Sequence, residues 1–289
     1  MLFTNILYDI YIFTWDAWLS FVNLFAPSRR IGGVVQQGNP GAGGKWPEFV
    51  PPKDGDSRCA CPALNAMANH DGRNVKFTEI TEKVHQTFNF AETFSRLVIG
   101  VGAEMLHKNY NTDTFDLADL DVHNGIEHDA SLLRQDANFE PDQGKPYLPF
   151  IHDLLASATG KDADGKPCLT PADISRFSSK RRAHSRQKNP KFALENKHKI
   201  FGSANASTLL AIFGGAVADL EPFLTEERIP EGWEPKHRSH MGLTFMAFNP
   251  TTFVVEMGID EEPFTNPPTA IFLGALGRAV ASFVVTNGK

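Results

Sequence analysis

From residue 62 onwards the chain reads as one helix pattern after another, and that succession constrains the fold more than any other feature. Residues 63–69, 80–88, 91–106, 147–156, 171–188 and 195–220 carry helical patterns, with start signals such as Pro62 and Thr78-Glu79 ahead of the first two. A shorter piece, 114–117, leads into the segment 121–131. Strand signals are few. The clearest lies at 245–255, where β-branched and aromatic residues surround Asn249-Pro250. The last stretch, 269–285, is apolar and rich in small residues, with Arg278 inside it, and reads as a core helix or a second membrane contact. No internal repeat is visible. The expectation is a mainly α chain with one compact helical domain over 53–289, because 289 residues, 42% of them apolar, suffice for one full core. The 23 Phe, against four Tyr and four Trp, suit a dry core or a greasy cavity, and plain packing accounts for most of them.

A formal charge of −6 argues against a nucleic-acid partner, since no basic surplus exists to neutralise phosphates. The three cysteines, Cys59, Cys61 and Cys168, are too few and too odd for a disulfide scaffold. Cys59 and Cys61 are too close to bridge each other easily, and either could pair with Cys168.

Residues 1–27 form a predicted apolar helix whose polar members, Asn5, Asp9, Asp16, Ser20 and Asn23, fall within a sector of roughly 60°. No Lys or Arg precedes Arg29, so a secretory leader is not evident, and two Asp weigh against a spanning helix. A narrow polar stripe fits a membrane-surface anchor or an oligomer contact, with Arg29-Arg30 placed for anionic headgroups. The bland reading is a helix packed on its own domain. Residues 28–52 read as a Gly- and Pro-punctuated linker, and Gly41-Ala42-Gly43-Gly44 is no phosphate loop, for it lacks the Lys-Ser/Thr ending and a preceding strand.

Two short motifs carry chemistry. Cys61 stands directly before Pro62 at a predicted helix start, where unpaired N–H groups favour a thiolate. Taken alone, a Cys-Pro at a helix start is more often a buried structural cysteine. Cys59 competes with it as a ligand, and a zinc site from Cys59, Cys61 and His70 would lack a fourth donor at a usual spacing. Downstream, Glu127-His128-Asp129-Ala130-Ser131 packs three oxygen donors and an imidazole into five residues, a density that suits a hard cation such as magnesium. Its bland reading is an acidic turn in which Asp129 caps a helix.

The stretch Asp56-Ser57-Arg58 with Cys61-Pro62, Leu64-Asn65 and Ala68-Asn69-His70, together with Ile126 to Asp136, resembles the haem-thiolate peroxidases and peroxygenases of the chloroperoxidase-like family. The likeness is to its short, Glu-His-Asp branch, the unspecific-peroxygenase type. Residues 181–192, 201–215 and the run Glu226-Glu227-Arg228 to Trp233 extend it, so that it covers about residues 35–240. The resemblance implies a haem-binding helical domain holding haem b and Mg²⁺. It makes Cys61, followed by Pro62, the axial ligand of the haem iron. Magnesium falls to the side chains of Glu127, Asp129 and Ser131 and the backbone oxygen of His128, and the His128 ring becomes the distal base. The implied activity is hydrogen-peroxide-dependent oxidation or oxygenation of an apolar or aromatic small molecule. The expected setting, which rests on the lack of an evident secretory leader, is secondary metabolism inside the cell at an internal membrane, with secretion as the alternative.

Three positions depart from the family pattern. Ala60 replaces the first proline of a Pro-Cys-Pro motif. His70 runs directly into Asp71-Gly72-Arg73-Asn74, shortening a loop. Asn205 stands where the family's proton-transferring Glu belongs, and an amide cannot take up that proton at neutral pH. Asn205 therefore lines the pocket and His128 is left as the lone base, since Glu195 is ten residues upstream. Asn205-Ala206-Ser207 is also a glycosylation sequon, discounted because the resemblance puts it inside the pocket. This change keeps two other functions open: a haem-thiolate protein with peroxide-independent chemistry, and a haem-binding or membrane-interaction module without catalysis.

Overall fold

The computed structural model describes residues 2–68 and 72–260, and side chains from residue 7 onwards. Nine α-helices occur among the described residues: α1 (Leu2–Phe25), α2 (Pro62–Met67), α3 (Phe77–Phe88), α4 (Glu92–Met105), α5 (Leu148–Ala156), α6 (Pro171–Lys188), α7 (Asn196–Phe213), α8 (Val217–Thr225) and α9 (Phe245–Met257). Sheet is confined to two antiparallel pairs of two-residue strands, Val75–Lys76 with Thr114–Phe115 and Gly160–Lys161 with Pro167–Cys168. The mainly α class is as expected. The apolar stretch 269–285 lies outside the described residues.

The helices start where local chemistry says they should. At α6, Thr170 accepts from the Asp173 N–H while the Asp173 carboxylate reaches back to the Thr170 N–H, and Pro171 fills the first turn. One expected helix over 195–220 is two. Gly214 and Gly215 adopt φ of +63° and +70°, which ends α7, and a Cβ on Gly215 would sit 2.2 Å from the Leu169 carbonyl oxygen. The core runs along these helices, with Phe213 packed on Phe223 (4.4 Å between ring centres) and Trp233 (4.7 Å), and Phe94 packed on Phe248 (5.0 Å).

The strand expected at 245–255 is a helix. Phe248, Thr252, Val255 and Glu256 are its buried residues, a spacing of four, three and one that belongs to a helix. Thr244 caps it by accepting from the Ala247 N–H. Pro250 removes one bond inside the helix, but α9 lies against α6 and α7, and tertiary packing overrides the local preference.

The polar stripe of α1 faces the protein, not solvent. Asp16 is fully buried; its carboxylate accepts from Thr93 Oγ1 (2.5 Å) and from the backbone N–H groups of Phe245 (3.1 Å) and Met246 (2.9 Å), the first turn of α9. Ser20 donates to Thr244 Oγ1, and Asn23 exchanges hydrogen bonds with the Gly242 carbonyl and the Met241 N–H. Asp9 is buried as well, and the Asn5 side chain lies outside what is described. A carboxylate at a helix N-terminus satisfies orphan donors and complements the helix dipole, so α1 is clipped to α9 through its polar groups. Residues 28–52 have no long element, yet they are pinned: Gly32 and Val34 donate to Glu234, and Trp46 Nε1 donates to the Trp233 carbonyl.

Asp16→Ala leaves the buried Thr93 hydroxyl and two part-buried N–H groups of α9 without their acceptor. It should lower the unfolding free energy by about 2–4 kcal/mol, read as a shifted urea midpoint in helical circular dichroism. A loss below about 0.5 kcal/mol, the range of ordinary surface changes, would show that α1 is not held this way.

Candidate active site around Cys61 and the Glu127–Ser131 turn

Cys61 is the cap residue of α2, with extended backbone (φ −86°, ψ 110°) and Pro62 in the first turn. The loop before it is held by Asn65. The Asn65 Oδ1 accepts from the Cys59 N–H (3.0 Å), and its Nδ2 donates to the Cys59 carbonyl (2.7 Å) and to Glu227 Oε1 (2.8 Å). Glu227 in turn receives Arg134 Nη2 at 2.5 Å, and the Arg134 side chain is 1% exposed. Burial raises the Glu227 carboxyl pKa, with Arg134 and Asn65 pulling it back down.

The two cysteines of the loop differ in kind. Cys59 is sealed in the core at 1% exposure, and burial, with Cys61 and Asp121 adding to it, raises its thiol pKa well above the ordinary value. Cys61 is exposed. Protein packed around its sulfur still raises the thiol pKa, while the backbone N–H groups of Leu64 and Ala63 act in the opposite direction. All three cysteines are free, so the bridge to Cys168 allowed by the sequence does not form. Among the described residues no group of three His, Cys, Asp or Glu is arranged to hold a metal, which leaves the zinc alternative without support there; His70 lies outside the described residues.

The Glu127–Ser131 segment is an irregular turn, and no helix follows Asp129 for it to cap. Ala130 takes φ of +63°. The turn is fastened by Asp136, which accepts from the Ala130 N–H (3.0 Å), Ser185 Oγ (2.8 Å), Asn189 Nδ2 (3.0 Å) and Arg181 Nη2 (3.4 Å). Arg181 also donates to the Ser131 carbonyl (2.9 Å) and stacks 3.7 Å over the Phe150 ring.

The turn buries two carboxylates that are only half satisfied. Glu127 Oε2 is bonded to His123 Nδ1 at 2.6 Å, but Oε1 has no partner. Asp129 Oδ2 accepts from the Ala193 N–H at 2.9 Å, but Oδ1 has no partner. Burial raises both pKa values; His123 opposes it at Glu127 and Ala193 at Asp129. Orphaned buried carboxylate oxygens are costly unless a cation or proton meets them, so the donor chemistry fits a hard divalent ion. Only two carboxylates leave an oxygen open here, and among the described residues no third His, Cys, Asp or Glu joins them.

The turn and the cysteine loop are joined by Asp121. Its Oδ1 accepts from the Ala60 N–H at 2.8 Å, between the two cysteines. Burial first, and the Glu127 charge among the further causes, push its pKa up to about 7.

His128 Nδ1 lies 2.8 Å from the Asp129 carbonyl. A carbonyl only accepts, so Nδ1 carries the proton and Nε2 keeps its lone pair. Burial pushes the ring's pKa down to about 4, so it is neutral at ordinary pH. Helix α7 meets this ring at Gly202, where a Cβ would lie 3.0 Å from Cε1 and 3.2 Å from Nε2. Asn205 follows one turn later on α7 and is exposed. Glu195 stands at the cap of α7, ion-paired to Lys197. His198, on the same helix, sits 6.1 Å from the His128 ring. Sequence reasoning assigned no role to Asp121, His123 or His198. The four-residue spacing of His123 to Glu127 and of His198 to Gly202 was the available signal.

Asp121 gives a pH test. Its folded pKa lies above the ordinary 3.8, so its neutral form favours folding below pH 3.8, and that contribution is lost as pH rises through about 7. Asp121→Asn keeps an acceptor for the Ala60 N–H and never ionises. In chelator, the variant's Tm advantage over the parent should grow between about pH 4 and pH 7 and stay level above. A difference independent of pH would mean that Asp121 does not titrate in that range.

Comparison with known proteins identifies the family. No curated protein matches the chain. A family model does match, over residues 47–238, a span that runs from Trp46's neighbour through the cysteine loop, the acidic turn and α7 to the strip beside α1. That span is well over half of the 289 residues, and the chain belongs to peroxidase, family 2.

Proposed function

We propose that this family member is a haem-thiolate oxidoreductase that uses hydrogen peroxide to oxidise or oxygenate apolar or aromatic small molecules. The observation that carries the reading is the contrast between the two loop cysteines: Cys61 is exposed at the start of α2 while Cys59 is buried behind it. Haem b would be held by Cys61, with Pro62 shaping the turn, and magnesium by Glu127, Asp129, Ser131 and the His128 carbonyl. A haem iron ligated by thiolate supplies an electron-rich centre that favours O–O cleavage.

The chain's own residues account for the remainder. The Leu64 and Ala63 N–H groups favour the charged form of the sulfur. Glu227 and Arg134 fix the loop through Asn65. His128 Nε2 is free to take a proton from bound peroxide. Asn205 can orient peroxide by hydrogen bonding but cannot carry its proton, so proton movement rests on His128. The proposed setting is tailoring of a secondary metabolite at an internal membrane.

The test of ligation is the absorption spectrum of the reduced protein under carbon monoxide. A red-shifted Soret band should be present, absent in Cys61→Ala and retained in Cys59→Ala. Loss in Cys59→Ala with retention in Cys61→Ala would overturn the assignment.

Asn205→Glu tests the proton path. Acid–base assistance is worth about 10²–10⁴-fold, so the added carboxylate should raise peroxide-dependent turnover by a large part of that, with the gain lost at low pH as it protonates. An unchanged rate beside turnover that needs no peroxide would favour the peroxide-independent reading. Haem binding with no turnover at all would favour a binding module.

A further inference from the structure

Helix α1 is amphipathic the wrong way round for a water-facing helix. Its inner face carries both of its charges, Asp9 and Asp16, with Ser20 and Asn23. Its outer face carries large apolar groups: Ile10 is 57% exposed, Tyr11 58%, Trp18 61%, Phe21 52%, Leu24 77% and Phe25 75%. Trp18 stacks on Phe21 at 5.8 Å, and Phe21 meets Phe25 edge-on at 5.1 Å, so the aromatic groups form a ridge. A surface helix of a soluble domain shows the opposite pattern, and an apolar face this long marks an interaction site.

Charge identifies the occupant. The chain as a whole is acidic at −6, but the end of the ridge is basic. Arg30 follows α1 and is exposed. The Arg29 N–H donates to the Arg238 carbonyl at 2.7 Å, and the Arg29 guanidinium to the His240 carbonyl, which brings exposed Arg238 and His240 beside it. Exposed Ile31 continues the apolar surface past these residues. Trp and Tyr on an apolar face with arginine at its margin match a lipid interface. The helix cannot cross: none of the described helices is long and apolar enough, and Asp16, Ser20 and Asn23 tie this one flat against the domain.

We propose that the outer face of α1 docks the folded domain onto an anionic membrane surface. The ridge from Ile10 to Phe25 enters the interface, while Arg30, Arg238 and His240 meet headgroups. The orientation is the reverse of the free interfacial helix suggested by the sequence, whose polar stripe would face water. Here that stripe is the joint to the protein, so docking carries the whole domain to the bilayer. The proposal does not depend on the haem reading.

The test uses the full chain with vesicles of phosphatidylcholine alone or with added phosphatidylserine. The protein should sediment with vesicles, more strongly with the anionic ones. The double variant Arg30→Ala/Arg238→Ala should lose that preference by roughly 10- to 30-fold in partition coefficient. Trp18→Ser/Phe21→Ser/Leu24→Ser should abolish sedimentation while the far-ultraviolet spectrum stays that of the parent, because these side chains face outward. Lipids brominated on their acyl chains should quench tryptophan emission, less so in Trp18→Phe. Protein that remains in the supernatant with both vesicle types overturns the proposal. So does a discrete dimer in size-exclusion chromatography that the serine variant disperses and that does not bind vesicles; the face would then join two copies of this chain.

Discussion

The buried ion pair between Arg134 and Glu227 is the contact on which the site depends. Arg134 lies three residues beyond Ser131, and Glu227 holds Asn65, whose side chain grips Cys59 on both backbone groups. Movement of the pair would therefore move the acidic turn and the cysteine loop together. Burying two charges is expensive, and such pairs are weak sources of net stability. Removing one partner is another matter: the remaining charge is left in the core, at a cost of about 3–5 kcal/mol. Glu227 also holds a φ of +54°, outside the usual range for its type. The pair is best understood as a spacer that sets where Cys61 stands relative to Glu127.

Around that spacer the fold gathers carboxylates and treats them unequally. Asp136 is satisfied by a backbone N–H, a hydroxyl, an amide and a guanidinium. Glu127 and Asp129 each keep one buried oxygen without a partner. Since the surroundings can complete a carboxylate, as they do at Asp136, the incomplete pair is a local property of the turn. Each orphaned oxygen is a buried acceptor that the surrounding side chains leave unmet. Burial is the first cause of the raised pKa values of Asp121, Glu127 and Asp129, which a proton would meet most simply.

What could be read in the sequence depended on how local its cause was. Helix α6 was legible over 171–188 because the Thr170–Asp173 box and Pro171 are written in consecutive residues. Cys61 and the Glu127–Ser131 segment were legible as motifs. Helix α9 resembles a strand in sequence because Val254, Val255 and two threonines favour sheet and Asn249-Pro250 imitates a turn; the spacing of Phe248, Thr252, Val255 and Glu256 is the helical signal beneath it. The break after Phe213 followed from Gly214-Gly215, whose need to pass the Leu169 backbone is a tertiary fact. The pairing of His123 with Glu127 left only its four-residue spacing as a signal, and that of Asp121 with Ala60, 61 residues apart, left none. The short loop after His70 lies in part outside the described residues.

The N-terminal stripe shows why periodicity alone gives a face but not its direction. A sector of roughly 60° containing Asp9, Asp16, Ser20 and Asn23 is consistent with water or with a polar groove in the protein. Composition favours water, because buried Asp is rare. Hydrogen bonding decides the other way: the start of α9 and the loop 241–244 offer donors and acceptors in the order that Asp16, Ser20 and Asn23 require. Once those polar groups are consumed inside, the apolar arc has nowhere to turn but outward. The exposed ridge is thus a consequence of the same buried carboxylate that fixes α9, and α9 in turn packs on α7, the helix that carries Gly202 and Asn205. Through that chain of contacts a residue near the start of the polypeptide helps set the helix that faces His128.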